Sequence, residues 1–98
     1  MMRFEGRVSI VTGASQGIGE VIARDLAAEG AVVVLVDVQA DKLEAVAASI
    51  AGAGGRAEAR AVDVGDAAAA EAAVAAVVAA HGRIDHLVNN AGITRDGL

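Results

Sequence analysis

Thr12-Gly13-Ala14-Ser15-Gln16-Gly17-Ile18-Gly19 follows directly on the apolar run Val8-Ser9-Ile10-Val11. The order is that of a buried strand, a glycine-rich turn and the start of a helix. Such a junction favours an anion. The first turn of a helix leaves backbone N–H groups unpaired, and the aligned peptide dipoles add partial positive charge there. A phosphate set against that end is held by donors the backbone already supplies. The glycines have separate tasks. Gly13 turns the chain off the strand, Gly17 lets a pyrophosphate approach the backbone, and Gly19 lets the helix pack close to a sheet. With Ala14, Ser15, Gln16 and Ile18 between them, residues 13–19 form the candidate dinucleotide-phosphate site.

Outward from this junction the apolar pattern alternates between two periods. Ile18, Ile22 and Leu26 follow helical spacing, and Gly30 is a natural stop. Ala31 to Val36 is a continuous apolar run, as in a parallel strand covered on both faces. Leu43, Val46, Ala47 and Ile50 predict a second helix, ended by Gly52, Gly54 and Gly55. Ala57 to Val62 is a weaker third strand. Asp66 can cap a third helix that runs to His81, with Val74, Val77 and Val78 as its apolar stripe and Gly82 as its stop. Ile84 to Val88 is the fourth strand. This βαβαβαβ order predicts an α/β fold: a Rossmann-type, doubly wound parallel sheet with strands in the order 3-2-1-4.

Composition narrows the field. The chain has 98 residues and a formal net charge of −5, which disfavours attraction to nucleic acid. It has no cysteine, so disulfides and thiolate metal sites are excluded. His81 and His86 lie at a helix end and in a strand without clustered ligands, and no metal site is expected. No apolar stretch is long enough to span a membrane, and the cytoplasm is the expected compartment. Phe4 is the single aromatic residue, so the core must rest on Val, Ile and Leu.

Asp37 ends the second strand at about the distance from Gly13 expected of a carboxylate that grips an adenosine ribose through its 2′- and 3′-hydroxyls. Its charge would repel the 2′-phosphate of NADP.

Two motifs carry a family resemblance. Thr-Gly-x-x-x-Gly-x-Gly at 12–19 and Asn89-Asn90-Ala91-Gly92 after the fourth strand resemble the short-chain dehydrogenase/reductase family. The likeness spans essentially the whole chain. It implies that the Asp63 side chain takes the adenine amine and the Val64 N–H meets a ring nitrogen. It also implies that Asn90 reaches the cofactor ribose region, that Ala91 and Gly92 let ribose and phosphate lie against the backbone, and that Asn89 organises the sheet. Many NADP-binding members of that family carry a basic residue at the place of Gln16 or Val38, and neither is basic here, so NAD is favoured over NADP. The run Asn89 to Asp96 looks most like the 3-oxoacyl-acyl-carrier-protein reductases, although those enzymes usually prefer NADPH.

The family's catalysts are a tyrosine four residues before a lysine, with a serine upstream. This sequence has no tyrosine, and its one lysine is Lys42. Residues 1–98 are therefore expected to be the dinucleotide-binding N-terminal part of a single Rossmann domain that lacks its catalytic part. The expected enzyme is an NAD(P)-dependent oxidoreductase that moves a hydride between nicotinamide and a carbonyl, alcohol or acyl-thioester substrate, as a homo-oligomer. The alternative is a non-catalytic nucleotide-binding half-domain.

Overall fold

The computed structural model describes residues 2–90. Within them run β1 (Val8–Thr12), α1 (Gly17–Ala28), β2 (Val32–Asp37), α2 (Ala40–Gly52), β3 (Arg56–Ala61), α3 (Ala67–His81) and β4 (His86–Asn89). The four strands form one parallel sheet in the order β3-β2-β1-β4, the doubly wound order predicted. Each strand ends within a residue or two of its predicted limit. All carboxyl ends lie along one edge of the sheet, where Gly13, Asp37 and Asn90 emerge.

The centre of the sheet is buried on both sides because its strands are apolar on both sides. Val11, Val33 and Leu35 meet Ala23, Ala27, Leu43, Val46 and Ile50 of α1 and α2 on one face. Val8, Ile10, Val34 and Val36 meet Val77 of α3 on the other. β3 is an edge strand that alternates charge with alanine. Ala57 and Ala59 pack on the α1–α2 face, while Glu58 accepts from Arg60 and pairs with His81 of α3 at 2.8 Å. Charges of this kind protect an edge from pairing with another chain.

Two predicted helix stripes are corrected. In α1 the buried residues are Gly19, Ala23 and Ala27, whereas Ile22 and Leu26 are only partly buried and Ile18 is 65% exposed. The helix lies so near β1 and β2 that only small residues fit beneath it, and the larger side chains are turned to its flanks. In α3 Val77 alone is buried, and Val74 and Val78 are exposed. A helix with alanine all round has almost no polarity contrast to orient it, so the side that meets the sheet is decided by where one valine fits among Ile10, Val34 and Val36. The ends of α3 follow prediction: Asp66 Oδ1 accepts from Ala69 N at 3.2 Å, and Gly82 closes the helix in the left-handed region.

The α1 packing has a direct test. Ala23→Leu should cost about 1–3 kcal/mol or more, because a larger side chain beneath a helix this close must push it off the sheet. Ile18→Ser should leave stability within about 0.5 kcal/mol. Urea unfolding of the two variants would reverse in order if the predicted Ile18 stripe were the buried one.

Candidate functional site

The glycine turn leaves β1 at Thr12 and enters α1 at Gly17. Gly13 and Gly17 both take positive φ, at 64° and 61°. An L side chain in that region costs roughly 1–2 kcal/mol. Nothing lies within 4 Å of where a Cβ of Gly17 would point, so the approach to the first turn of α1 is open. Gln16, at the N-cap, makes no side-chain cap bond, in contrast to Asp66 on α3. The helix start is thus uncapped, exposed and flanked by glycine, which suits a pyrophosphate that accepts from its N–H groups.

Across from the turn, β2 delivers Asp37. Its Oδ2 accepts from Ser15 Oγ at 2.7 Å and from Ser15 N at 3.3 Å, and its Oδ1 accepts from Val38 N at 2.7 Å. Partial burial pushes the carboxyl pKa up, but the bonds from Ser15, Val38 and Gln39 outweigh it and hold the group below its ordinary value of 3.8. Two further contacts span the same gap. Gln39 Nε2 donates to Ser15 Oγ at 3.4 Å, and Lys42 Nζ donates to Gln16 Oε1 at 3.1 Å. The sequence reading missed Gln39 and Lys42. The available signal was topological: in a doubly wound sheet the loop after β2 faces the turn after β1.

β4 brings in the asparagines. Thr12 Oγ1 donates to Asn89 Oδ1 at 3.1 Å, which ties the ends of β1 and β4 together. Asn90 is buried, and its Nδ2 donates to the Gly13 carbonyl at 3.3 Å. Asn90, expected at the cofactor ribose, therefore has its amide on the turn itself. Ala91 and Gly92 lie outside the described residues.

Asp63 and Val64 stand just past β3 rather than at its end. Val62 N still pairs with Asp37 O at 2.9 Å, and Asp63 Oδ1 then accepts from Gly65 N at 2.9 Å. This local turn ends the strand and occupies one oxygen of the Asp63 side chain. Val64 is exposed beside it.

Gly13 to Gly19, Asp37 and Asn90 thus meet at one end of the sheet, with Asp63 and Val64 in the next loop along the same edge. No helix among the described residues is long and apolar enough to cross a membrane.

Comparison with known proteins agrees with this geometry. The family described as short chain dehydrogenase matches residues 7–98. A 2,3-dihydro-2,3-dihydroxybenzoate dehydrogenase of Bacillus subtilis is 47% identical over 94 residues, covering 96% of this chain and 36% of the relative. The 3-oxoacyl-[acyl-carrier-protein] reductase FabG of Thermotoga maritima is 41% identical over 97 residues, or 99% of this chain and 39% of the relative. A metagenomic short-chain oxidoreductase solved in complex with NADP superposes with a TM-score of 0.84 at 49% identity, covering 86% of this chain and 38% of that one. The chain thus spans little more than a third of the length of these proteins.

The Asp37 contacts set an acid dependence. Because its folded pKa lies below 3.8, its contribution to stability is full above that value and is lost as pH falls through the lowered one. Wild type should exceed Asp37→Asn in urea stability at neutral pH, and the gap should close in strong acid. A gap independent of pH would remove the charge from the account.

Proposed function

Since the chain belongs to the short-chain dehydrogenase family, we propose that it supplies the N-terminal cofactor-binding part of an NAD-dependent oxidoreductase, with hydride moved between nicotinamide and a carbonyl or alcohol carbon. The observation that carries this reading is the pairing of an uncapped, glycine-flanked helix start with a strand-end carboxylate across a narrow gap. The α1 N-terminus receives the pyrophosphate. Asp37 accepts from the ribose hydroxyls and opposes a 2′-phosphate. Asp63 and Val64 offer an acceptor and a donor to the adenine edge. Asn90 holds the glycine turn in shape through the Gly13 carbonyl, and Ala91 and Gly92 continue the cofactor-facing chain. The nicotinamide ring, when bound, carries the hydride.

NAD is preferred in this reading because Asp37 is ionised and neither Gln16 nor Val38 is basic. The related oxidoreductase that holds NADP makes cofactor choice the point most worth testing. For substrate, two classes have support. The likeness to a 2,3-dihydro-2,3-dihydroxybenzoate dehydrogenase favours oxidation of a secondary alcohol, which suits NAD. The run Asn89 to Asp96 and the likeness to FabG favour reduction of a 3-oxoacyl thioester. A cytoplasmic homo-oligomer completes the proposal.

The cofactor assignment is tested by Asp37→Ser combined with Gln16→Arg in a full-length enzyme carrying this N-terminal sequence. The kcat/KM preference should move from NAD toward NADP, as the repulsion removed is worth about 1–3 kcal/mol. An unchanged preference would discard Asp37 as the selector.

The 98 residues alone should bind dinucleotide without turning it over. Proton transfer needs a suitably tuned group within hydrogen-bond reach of the substrate oxygen. The family's tyrosine is absent, and Lys42 is engaged with Gln16 at the adenosine end. Turnover by the purified chain, abolished by Gly17→Val, would contradict this assignment of roles.

A further inference from the structure

We propose that Ser15 is a positioning residue for cofactor choice, acting on the ligand through Asp37 rather than by touching it. The inference rests on the reading of Asp37 as the ribose grip. It follows from where the Ser15 proton goes and from how little of the residue is exposed. A serine hydroxyl has one proton to give, and Ser15 Oγ gives it to Asp37 Oδ2 at 2.7 Å. On its acceptor side Ser15 Oγ already receives Gln39 Nε2 at 3.4 Å, and the Ser15 N–H also points to Asp37, at 3.3 Å. Ser15 is 4% exposed. Little of it is left to face a cofactor.

What Ser15 does hold is the carboxylate. Oδ2 is fixed from the glycine turn by two donors of one residue, and Oδ1 is fixed from its own strand end by Val38 N at 2.7 Å. With both oxygens held, the plane of the carboxylate is set, and its remaining lone pairs can face only one way. Discrimination against a 2′-phosphate requires charge at a fixed place, because a carboxylate free to rotate toward water lets the phosphate in. The hydroxyl bond is as short as the one from Val38 and comes from another segment. It therefore joins the phosphate cradle and the ribose grip into one unit.

The test is a double-mutant cycle on the full chain, with NAD and NADP titrated calorimetrically into wild type, Ser15→Ala, Asp37→Asn and the double variant. The readout is the ratio of the two Kd values. Ser15→Ala should lower discrimination against NADP roughly five- to tenfold where Asp37 is present, and by less than about twofold in the Asp37→Asn background. Ser15→Thr, which keeps the hydroxyl, should restore the ratio. The Asp37 carboxyl, followed by NMR titration, should move up toward its ordinary value in Ser15→Ala. That readout stands even if binding weakens, and Ser15→Gly replaces the alanine variant should the latter fail to fold.

An equal loss of discrimination in both backgrounds would overturn the proposal in favour of direct contact. A parallel loss of NAD and NADP affinity at constant ratio would reduce Ser15 to shaping the turn. Failure of the underlying reading looks different: Asp37→Asn itself would then leave the ratio at its wild-type value.

Discussion

The carboxyl end of the sheet depends on how near α1 comes to β1. At Gly19 the approach leaves no room for a single methyl group, since a Cβ there would overlap the Gly13 carbonyl and crowd Asn90 Nδ2. Packing of this kind has no soft alternative, because interiors are already close to crystal density. Much else follows from it. The stripe beneath α1 must stay small, as Gly19, Ala23 and Ala27. The Gly13 carbonyl must find its donor from the side, and Asn90 supplies it. The start of α1 is set beside the strand ends, within reach of the residue that terminates β2. A helix standing further off the sheet would have a richer apolar face and no such site.

Stability is distributed unevenly as a result. Full burial of a Val, Leu or Ile side chain contributes about 1.5–3 kcal/mol, and alanine far less. The α1–α2 face gains Leu35, Leu43, Val46 and Ile50, whereas α3 adds only Val77 to the opposite face. Beside Val77 lies a groove of about 200 Å³, lined by Ile10, Thr12, Val36, Val74 and Leu87 among others. α3 is secured instead at its ends, by the Asp66 cap and by the His81–Glu58 pair. At the site the order of effects is reversed: partial burial disfavours the ionised form of Asp37, and the hydrogen bonds that meet it win.

Strand order and element positions were legible because they depend on features a sequence carries openly: uninterrupted apolar runs for β1 and β2, a capping aspartate at 66, and glycines where helices stop. The identity of the buried helix faces was not. Ile18, Ile22 and Leu26 form the obvious apolar repeat, but the clearance beneath α1 is set by Gly19 and selects alanine over isoleucine. In α3 the repeat of Val74, Val77 and Val78 was legible, but with alanine all round it did not mark Val77 as the one valine that is buried. Among site residues, Gly13, Gly17, Gly19 and Asp37 announce themselves by type and spacing. The role of Ser15 as partner of Asp37, and the contacts of Gln39 and Lys42, exist only once the loops after β1 and β2 are brought side by side. Asn90 stands at the edge its position after β4 implies, and its bond to the Gly13 carbonyl is a contact the sequence does not declare, because a side chain able both to donate and to accept does not name its target.

The position of β4 also orders the assembly of the chain in time. β1 closes on β2 over one helix and two short turns, as does β2 on β3, through the pairs Val8–Val32 and Val32–Arg56. β4 returns to β1 from 77 residues away, as at Ser9 and His86. Closing the longer span forfeits about 1 kcal/mol more chain entropy than closing the shorter ones. Non-local pairings repay that loss only after they form, so the local three-strand unit leads and β4 follows. Side-chain staples then set the register of the latecomer: Asp85 on the Val8 N–H at one end, and Thr12 with Asn89 and Asn90 with Gly13 at the other. The edge where Gly13, Asp37 and Asn90 meet is therefore completed only when β4 docks on β1.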